Sequence, residues 1–150
     1  MAVECQVCGK KSSWTTEWEF TKIKEKIYCP GCAKIYFQSV ISGIMITTTN
    51  NIDGYKVEKY IDIESVEIVV GTGMFSELSG GISDFFGARS GAFELKLQNA
   101  KRTALDALRY TASEKGGNAV IAVDLDYTEF SGNRIGLIVN GTIVKIVAEE

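Results

Sequence analysis

The four cysteines of this chain stand at Cys5, Cys8, Cys29 and Cys32, as two C-x-x-C pairs separated by twenty residues. No other feature constrains the fold as strongly, because this spacing brings four thiolates within reach of one tetrahedral metal ion. Each pair can occupy one tight turn, and a hairpin between them returns the second turn to the first. Gly9 follows Cys8, while Pro30 and Gly31 lie inside the second pair, so Cys29-Pro-Gly-Cys32 reads as a turn whose amides can point at sulfur. Residues 1–40 read as a zinc ribbon. Two disulfides, or a redox-active pair, are the competing readings of the same cysteines. No secretory leader precedes Cys5, and a chain of 150 residues does not depend on disulfides to fold.

A site made of four cysteines is coordinatively closed, with no open position for water, and so reads as structural. Metal binding then supplies folding free energy, roughly 10–16 kcal/mol in small zinc domains. Zinc is the expected ion and iron the rival, since two C-x-x-C turns also build an iron site.

Composition bounds the remainder. At 45% hydrophobic and 23% charged the chain reads as globular, and no apolar stretch reaches the length of a membrane span. Reduced, metal-spaced cysteines with no leader point to the cytoplasm. The net charge of −3 hides an asymmetry: residues 1–40 carry six Lys against four Glu, whereas residues 41–150 carry ten basic against fifteen acidic residues. The acidic body disfavours nucleic acid as a partner. Histidine is absent throughout, which removes the commonest general base and the commonest open-site zinc ligand. With no cysteine outside the ribbon either, no enzyme chemistry is expected.

Between the cysteine pairs, Trp14, Thr16, Trp18 and Phe20 alternate as on one strand, and Lys22–Tyr28 as on a second, giving a ribbon hairpin. Trp14 and Trp18 either dock the hairpin or, with Lys22, Lys24 and Lys26, form an aromatic and basic surface for a partner. Residues 33–43 read as a short helix or linker. Residues 44–49 read as a strand, and residues 56–70 as a long one whose alternation changes phase near Ile63–Val66, predicting a bend or bulge there. Phe93, Leu97, Ala100, Ala104, Leu108 and Ala112 recur at helical spacing, with Ser90 as the expected N-cap and Gly116-Gly117 as the stop. Residues 118–130 and 134–147 read as two strands joined at 131–133. Both are apolar on both faces, and one helix covers only one face of a sheet. The other face is expected to be covered by a second copy of the chain.

Residues 44 to 147 resemble the YbjQ family, whose members carry a heavy-metal-binding label. The resemblance rests on Ile46-Thr47-Thr48-Thr49, on Gly71-Thr72-Gly73-Met74-Phe75, on Asp84-Phe85-Phe86-Gly87-Ala88-Arg89-Ser90-Gly91-Ala92-Phe93-Glu94, and on Gly117-Asn118-Ala119-Val120 running into Asp124-Leu125-Asp126-Tyr127. Ala88 stands where the family usually has a second Gly, and Phe93 where it usually has Tyr. The resemblance implies an α+β fold, one long helix on a small antiparallel sheet, assembled as a ring and commonly a pentamer. It implies an oligomerising domain over 44–148 behind the ribbon, and no established activity.

The heavy-metal label meets a chemical objection in this body. From residue 41 onward there is no Cys and no His, and only Met45 and Met74 carry sulfur, so a soft ion finds no ligand set there. A hard ion could use Asp124 and Asp126, two apart on one strand and so on one face. Arg89 and Ser90 could hold an anion at a helix N-terminus, or Arg89 could pair with Asp84 or with a neighbouring subunit. Three functions follow as expectations. The first is a non-enzymatic ring displaying zinc ribbons to a protein partner, the second a metal-ion or small-anion sensor using the body, and the third a nucleic-acid adaptor through the ribbon.

Overall fold

Ser12 and Val3 clamp the start of the chain: the Ser12 amide donates to the Val3 carbonyl at 2.7 Å, and the Val3 amide to Ser12 Oγ at 2.8 Å. The computed structural model describes residues 2–71, 86–130 and 134–149. They fall into two units, Met1–Gly43 and Ile44–Glu150.

In the first unit, residues 14–20 form a turn and a 3-10 helix, Glu17–Glu19, rather than the expected strand. Hydroxyl groups decide this. The Ser13 amide donates to Thr16 Oγ1 at 3.0 Å and Ser13 Oγ lies 2.8 Å from Thr15 Oγ1, local bonds that compete with a strand ladder. The segment expected as the second strand folds back on itself instead. Strands β1 (Thr21–Ile23) and β2 (Lys26–Tyr28) pair antiparallel with Lys22 opposite Ile27, and Lys24 turns the corner at φ 53°. The second cysteine pair then opens helix α1 (Pro30–Ile41), with Cys29 as N-cap and Pro30 as first residue. Proline suits that position, where its missing N–H would have no intrahelical partner. Among the described residues of this unit, Cys5, Cys29, Ile23 and Ala33 are the buried apolar ones, a core too small to hold the segment by itself.

The second unit is α+β, with a four-stranded sheet in the order β3 (Met45–Ile46), β5 (Ala119–Phe130), β6 (Arg134–Ala148), β4 (Tyr55–Gly71) and one long helix against it. Helix α2 (Phe86–Glu114) carries Ala100, Ala104, Leu108 and Ala112 on its buried stripe. They meet Val120 and Val123 of β5 (Ala119–Phe130) and Leu137, Val139 and Ile143 of β6 (Arg134–Ala148). The helix begins one turn ahead of the expected cap, so Ser90 lies within it. No proline or β-branched residue interrupts 86–90, and nothing there ends the helix early. Its stop is as expected: Gly116 takes φ 81°, and the Gly117 amide closes on the Ala112 carbonyl at 2.8 Å.

Strand β4 (Tyr55–Gly71) pairs with β6 along its length. Its irregularities fall at Val57/Lys59 and Tyr60/Asp62, upstream of the predicted bend, and Ile63–Val66 stays in register with Thr142–Val139. The upstream shift turns Ile61 onto the core. The strand expected at 44–49 shortens to β3 (Met45–Ile46), which runs parallel to β5 and makes the sheet mixed. Beyond it, a bulge in β5 at Ala122 (φ 52°) turns the amides of Ala122 and Val123 onto the Thr49 and Thr47 carbonyls, at 2.8 and 3.0 Å.

The sheet face away from α2 is partly covered from within the chain. Ile52 and Val57 pack on Ala119, Ile121, Val144 and Ile146, so the premise that only a second copy could cover that face needs correcting. Further along β4 the face is open, with Tyr60 68%, Ile63 77% and Val69 58% exposed.

Candidate metal centre

Three short elements bring the cysteines together. Cys5 and Cys8 lie on a turn that Gly9 closes at φ 73°, its amide 2.9 Å from the Cys5 carbonyl. That turn is pinned to β2 from both sides. The Gln6 amide donates to the Ile27 carbonyl at 2.9 Å, and the Ile27 amide donates to Gln6 Oε1 at 3.0 Å. Cys29 and Cys32 lie on the first turn of α1, directly after β2. The hairpin therefore acts as a spacer that carries the helix start back to the first pair.

The four sulfur atoms lie within 4.8 Å of one another, and Cys8 Sγ is 3.7 Å from Cys29 Sγ. A tetrahedron with metal–sulfur arms of about 2.3 Å has edges of about 3.8 Å, so the spacing matches a single ion held by four thiolates. It is longer than a disulfide, whose sulfurs are about 2.05 Å apart, and all four cysteines are free thiols.

Electrostatics of the cluster favour a cation. Burial raises the Cys5 thiol, but the amides of Cys29, Cys8 and Val7 and the Cys8 side chain outweigh it and lower its pKa to about 6. The Cys29 thiol is lowered, chiefly by the Cys32 amide. Cys32 moves the opposite way, pushed up to about 12 by its bonds to the Cys8 and Cys29 sulfurs and by burial. Backbone donors thus favour the thiolates of Cys5 and Cys29, while the neighbouring sulfurs disfavour charge on Cys32 unless positive charge arrives between them. Cys5 and Cys29 are buried, Cys32 is half-buried and Cys8 is exposed, which leaves one ligand at the surface.

Other residues singled out in the sequence are not gathered into a site. Asp84 lies outside the described residues, as do the side chains of Arg89, Ser90 and Trp18. Asp124 and Asp126 are exposed on β5, and Leu125 between them packs on the core, so both carboxylates stand on the face away from α2. Among the described residues, the four cysteines are the one grouping of three or more potential metal ligands. Trp14 is 90% exposed in the turn ahead of the hairpin rather than on its strand. Lys22, Lys24 and Lys26 are exposed, with Lys22 4.0 Å from Glu25. Sequence reasoning missed Lys115, whose Nζ meets Asp62 at 2.6 Å and Glu64 at 2.7 Å and ties the end of α2 to β4. It also missed Arg109, whose pairing with Asp106 at i,i+3 was the available signal.

Comparison with known proteins bears on the second unit. The model of the YbjQ family, described as "Putative heavy-metal-binding", matches residues 44–147. A UPF0145 protein of Bacillus cereus is 36% identical over 103 residues, which span 69% of this chain and 100% of that protein. A crystal structure of a DUF74-family protein of unknown function from Pediococcus pentosaceus is 17% identical, covering 71% of this chain and 99% of that one at a TM-score of 0.32. The four cysteines all precede the matched stretch, so the thiolate cluster is an addition ahead of the family body. The body itself, from Ile44 onward, makes this chain a member of the YbjQ family.

Proposed function

We propose that this chain is a non-enzymatic zinc protein whose body assembles as a homo-oligomeric ring and whose N-terminal units, organised by metal, are displayed for a protein partner. The observation that carries the reading is the convergence of Cys5, Cys8, Cys29 and Cys32 within 4.8 Å. Such a closed shell leaves no coordination position for substrate, so the ion shapes the unit and does no chemistry. Zinc is favoured over ferrous iron because divalent ions bind such sites more tightly in that order. A reducing compartment, the cytoplasm, keeps the thiolates available.

Support for self-assembly comes from β4. It is an edge strand of the sheet and presents Tyr60, Ile63 and Val69 to solvent, a surface that isolated chains rarely leave open. Five copies is the ring size that the family resemblance implies. Partner display rests on the exposed Trp14, Lys22, Lys24 and Lys26 beside the metal unit. With Glu25 close to Lys22, that surface is too weakly basic to favour nucleic acid.

Native mass spectrometry of the purified protein, beside a denatured sample, tests the reading. The expected particle holds five chains and one zinc per chain. A metal-free monomer would overturn both parts of it.

A further inference from the structure

The cleft between the β3 edge of the sheet and helix α2 is lined by no cysteine and takes no part in the metal centre. Its volume is about 540 Å³, within the range of small-ligand sites. Apolar Ile44, Ile46 and Ile52 line it together with polar Thr47 and Thr49 and the guanidinium of Arg109. A second depression of about 290 Å³, lined by Lys101 and Arg102 among others, shares Arg109 with the first. Three basic side chains thus converge on one flank of α2, in a body that carries ten basic against fifteen acidic residues overall.

The wall of the cleft is fixed before any ligand arrives. The Thr49 amide donates to Thr47 Oγ1 at 3.1 Å, Thr49 Oγ1 donates to the Asn51 carbonyl at 2.6 Å, and the two hydroxyls are 2.7 Å apart. Those hydroxyl protons are committed to the loop, which leaves Arg109 as the cationic anchor for a ligand, with the Asn51 side chain also on the lining. Arg109 Nη1 is held by Asp106 at 2.9 Å, and its other N–H groups have no protein partner among the described residues. Its side chain is 26% exposed. Such an arrangement orients the guanidinium while keeping donors available for a carboxylate.

We propose that this cleft binds a small organic monocarboxylate, with its carboxylate on Arg109 and its apolar body against Ile44, Ile46 and Ile52. Local charge selects a monoanion. Arg109 is the one cation lining the cleft, Asp53 also lines it and Asp106 holds Arg109, so a second carboxylate on the ligand would meet repulsion; Lys101 and Arg102 line the adjoining depression. The apolar lining selects an organic body over a bare inorganic anion.

Isothermal titration of the full, metal-loaded chain with benzoate tests this, with inorganic phosphate as the comparison. Saturable binding of benzoate is expected, with phosphate much weaker. Arg109→Gln is expected to weaken benzoate by about tenfold or more, as loss of a charge-assisted anchor should. Asp106→Asn removes the competing carboxylate and is expected to tighten it, which tests the site even if the Arg109 variant folds poorly. The absence of saturable heat up to about 10 mM benzoate, beyond the millimolar limit of weak specific binding, overturns the proposal. So does phosphate binding as well as benzoate, or affinity that neither substitution changes. Zinc content, measured in the same variants, distinguishes failure here from failure of the metal reading.

Discussion

Gly141 sits where β6 passes beneath α2, and no side chain fits there. A methyl group at this position would lie 2.5 Å from Val120 Cγ1, 3.2 Å from Val123 Cγ2 and 3.3 Å from Leu108 Cδ2, all short branched groups with little room to yield. Gly141→Ala is expected to destabilise the body by about 1–3 kcal/mol in urea unfolding, the usual effect of overpacking. Asn118 explains itself similarly. Its side chain exchanges two bonds with the backbone of Ile146, at 2.9 and 2.7 Å, acting as one more residue of the ladder. The Gly116-Gly117 pair was legible as a helix stop and Asn118 as the start of a strand, but the bonding of its side chain was not, because its partner lies 28 residues away. At Asp62, the Lys115 ammonium and the Ile63 amide hold the carboxyl below its ordinary range. That contribution is complete above the ordinary carboxylate range, near pH 4. It is lost as pH falls through the depressed value. Asp62→Asn should lower the neutral plateau of a stability profile and so flatten its acid limb between about pH 5 and pH 2, while leaving the acid end, where Asp62 is already uncharged, little altered; an unchanged acid limb would refute the pairing in solution.

At the scale of elements, α2 was the most legible because its buried stripe runs at a strict four-residue step, Ala100, Ala104, Leu108 and Ala112. Only Leu108 among them has a large side chain, and it is fully buried against β5 and β6. Leu108→Ala is expected to lose about 2–5 kcal/mol, the range for buried leucines, measured by the same urea titration. The segment between the cysteine pairs was the least legible. Period-two alternation from Trp14 to Phe20 suggested a strand, yet the Ser13, Thr15 and Thr16 hydroxyls hold that stretch in local turns. Lys24 gave no warning either, since a lysine at φ 53° lacks the glycine or asparagine that ordinarily signals a tight hairpin corner. The position of the bulges in β4 was equally hidden, being set by which residue, Ile61, reaches the core.

For the whole molecule, the cysteine spacing gave the site, whereas the family resemblance gave the body. The heavy-metal label of the family matches 44–147, a stretch with neither cysteine nor histidine, so it does not account for the thiolate cluster ahead of it. Among its described residues the first unit buries few apolar side chains beyond its own cysteines, so its folding should depend on the ion, whereas the body has a core of its own. Chelation followed by hydrogen exchange should strip protection from residues 2–43 and leave the β4, β5 and β6 amides protected; loss across both units would show that they fold as one. The most direct measurement is X-ray absorption at the zinc edge of the purified chain. Four sulfur neighbours at about 2.3 Å are expected. A shell containing oxygen or nitrogen, or protein that carries no zinc under reducing conditions, would contradict the Cys5, Cys8, Cys29 and Cys32 centre.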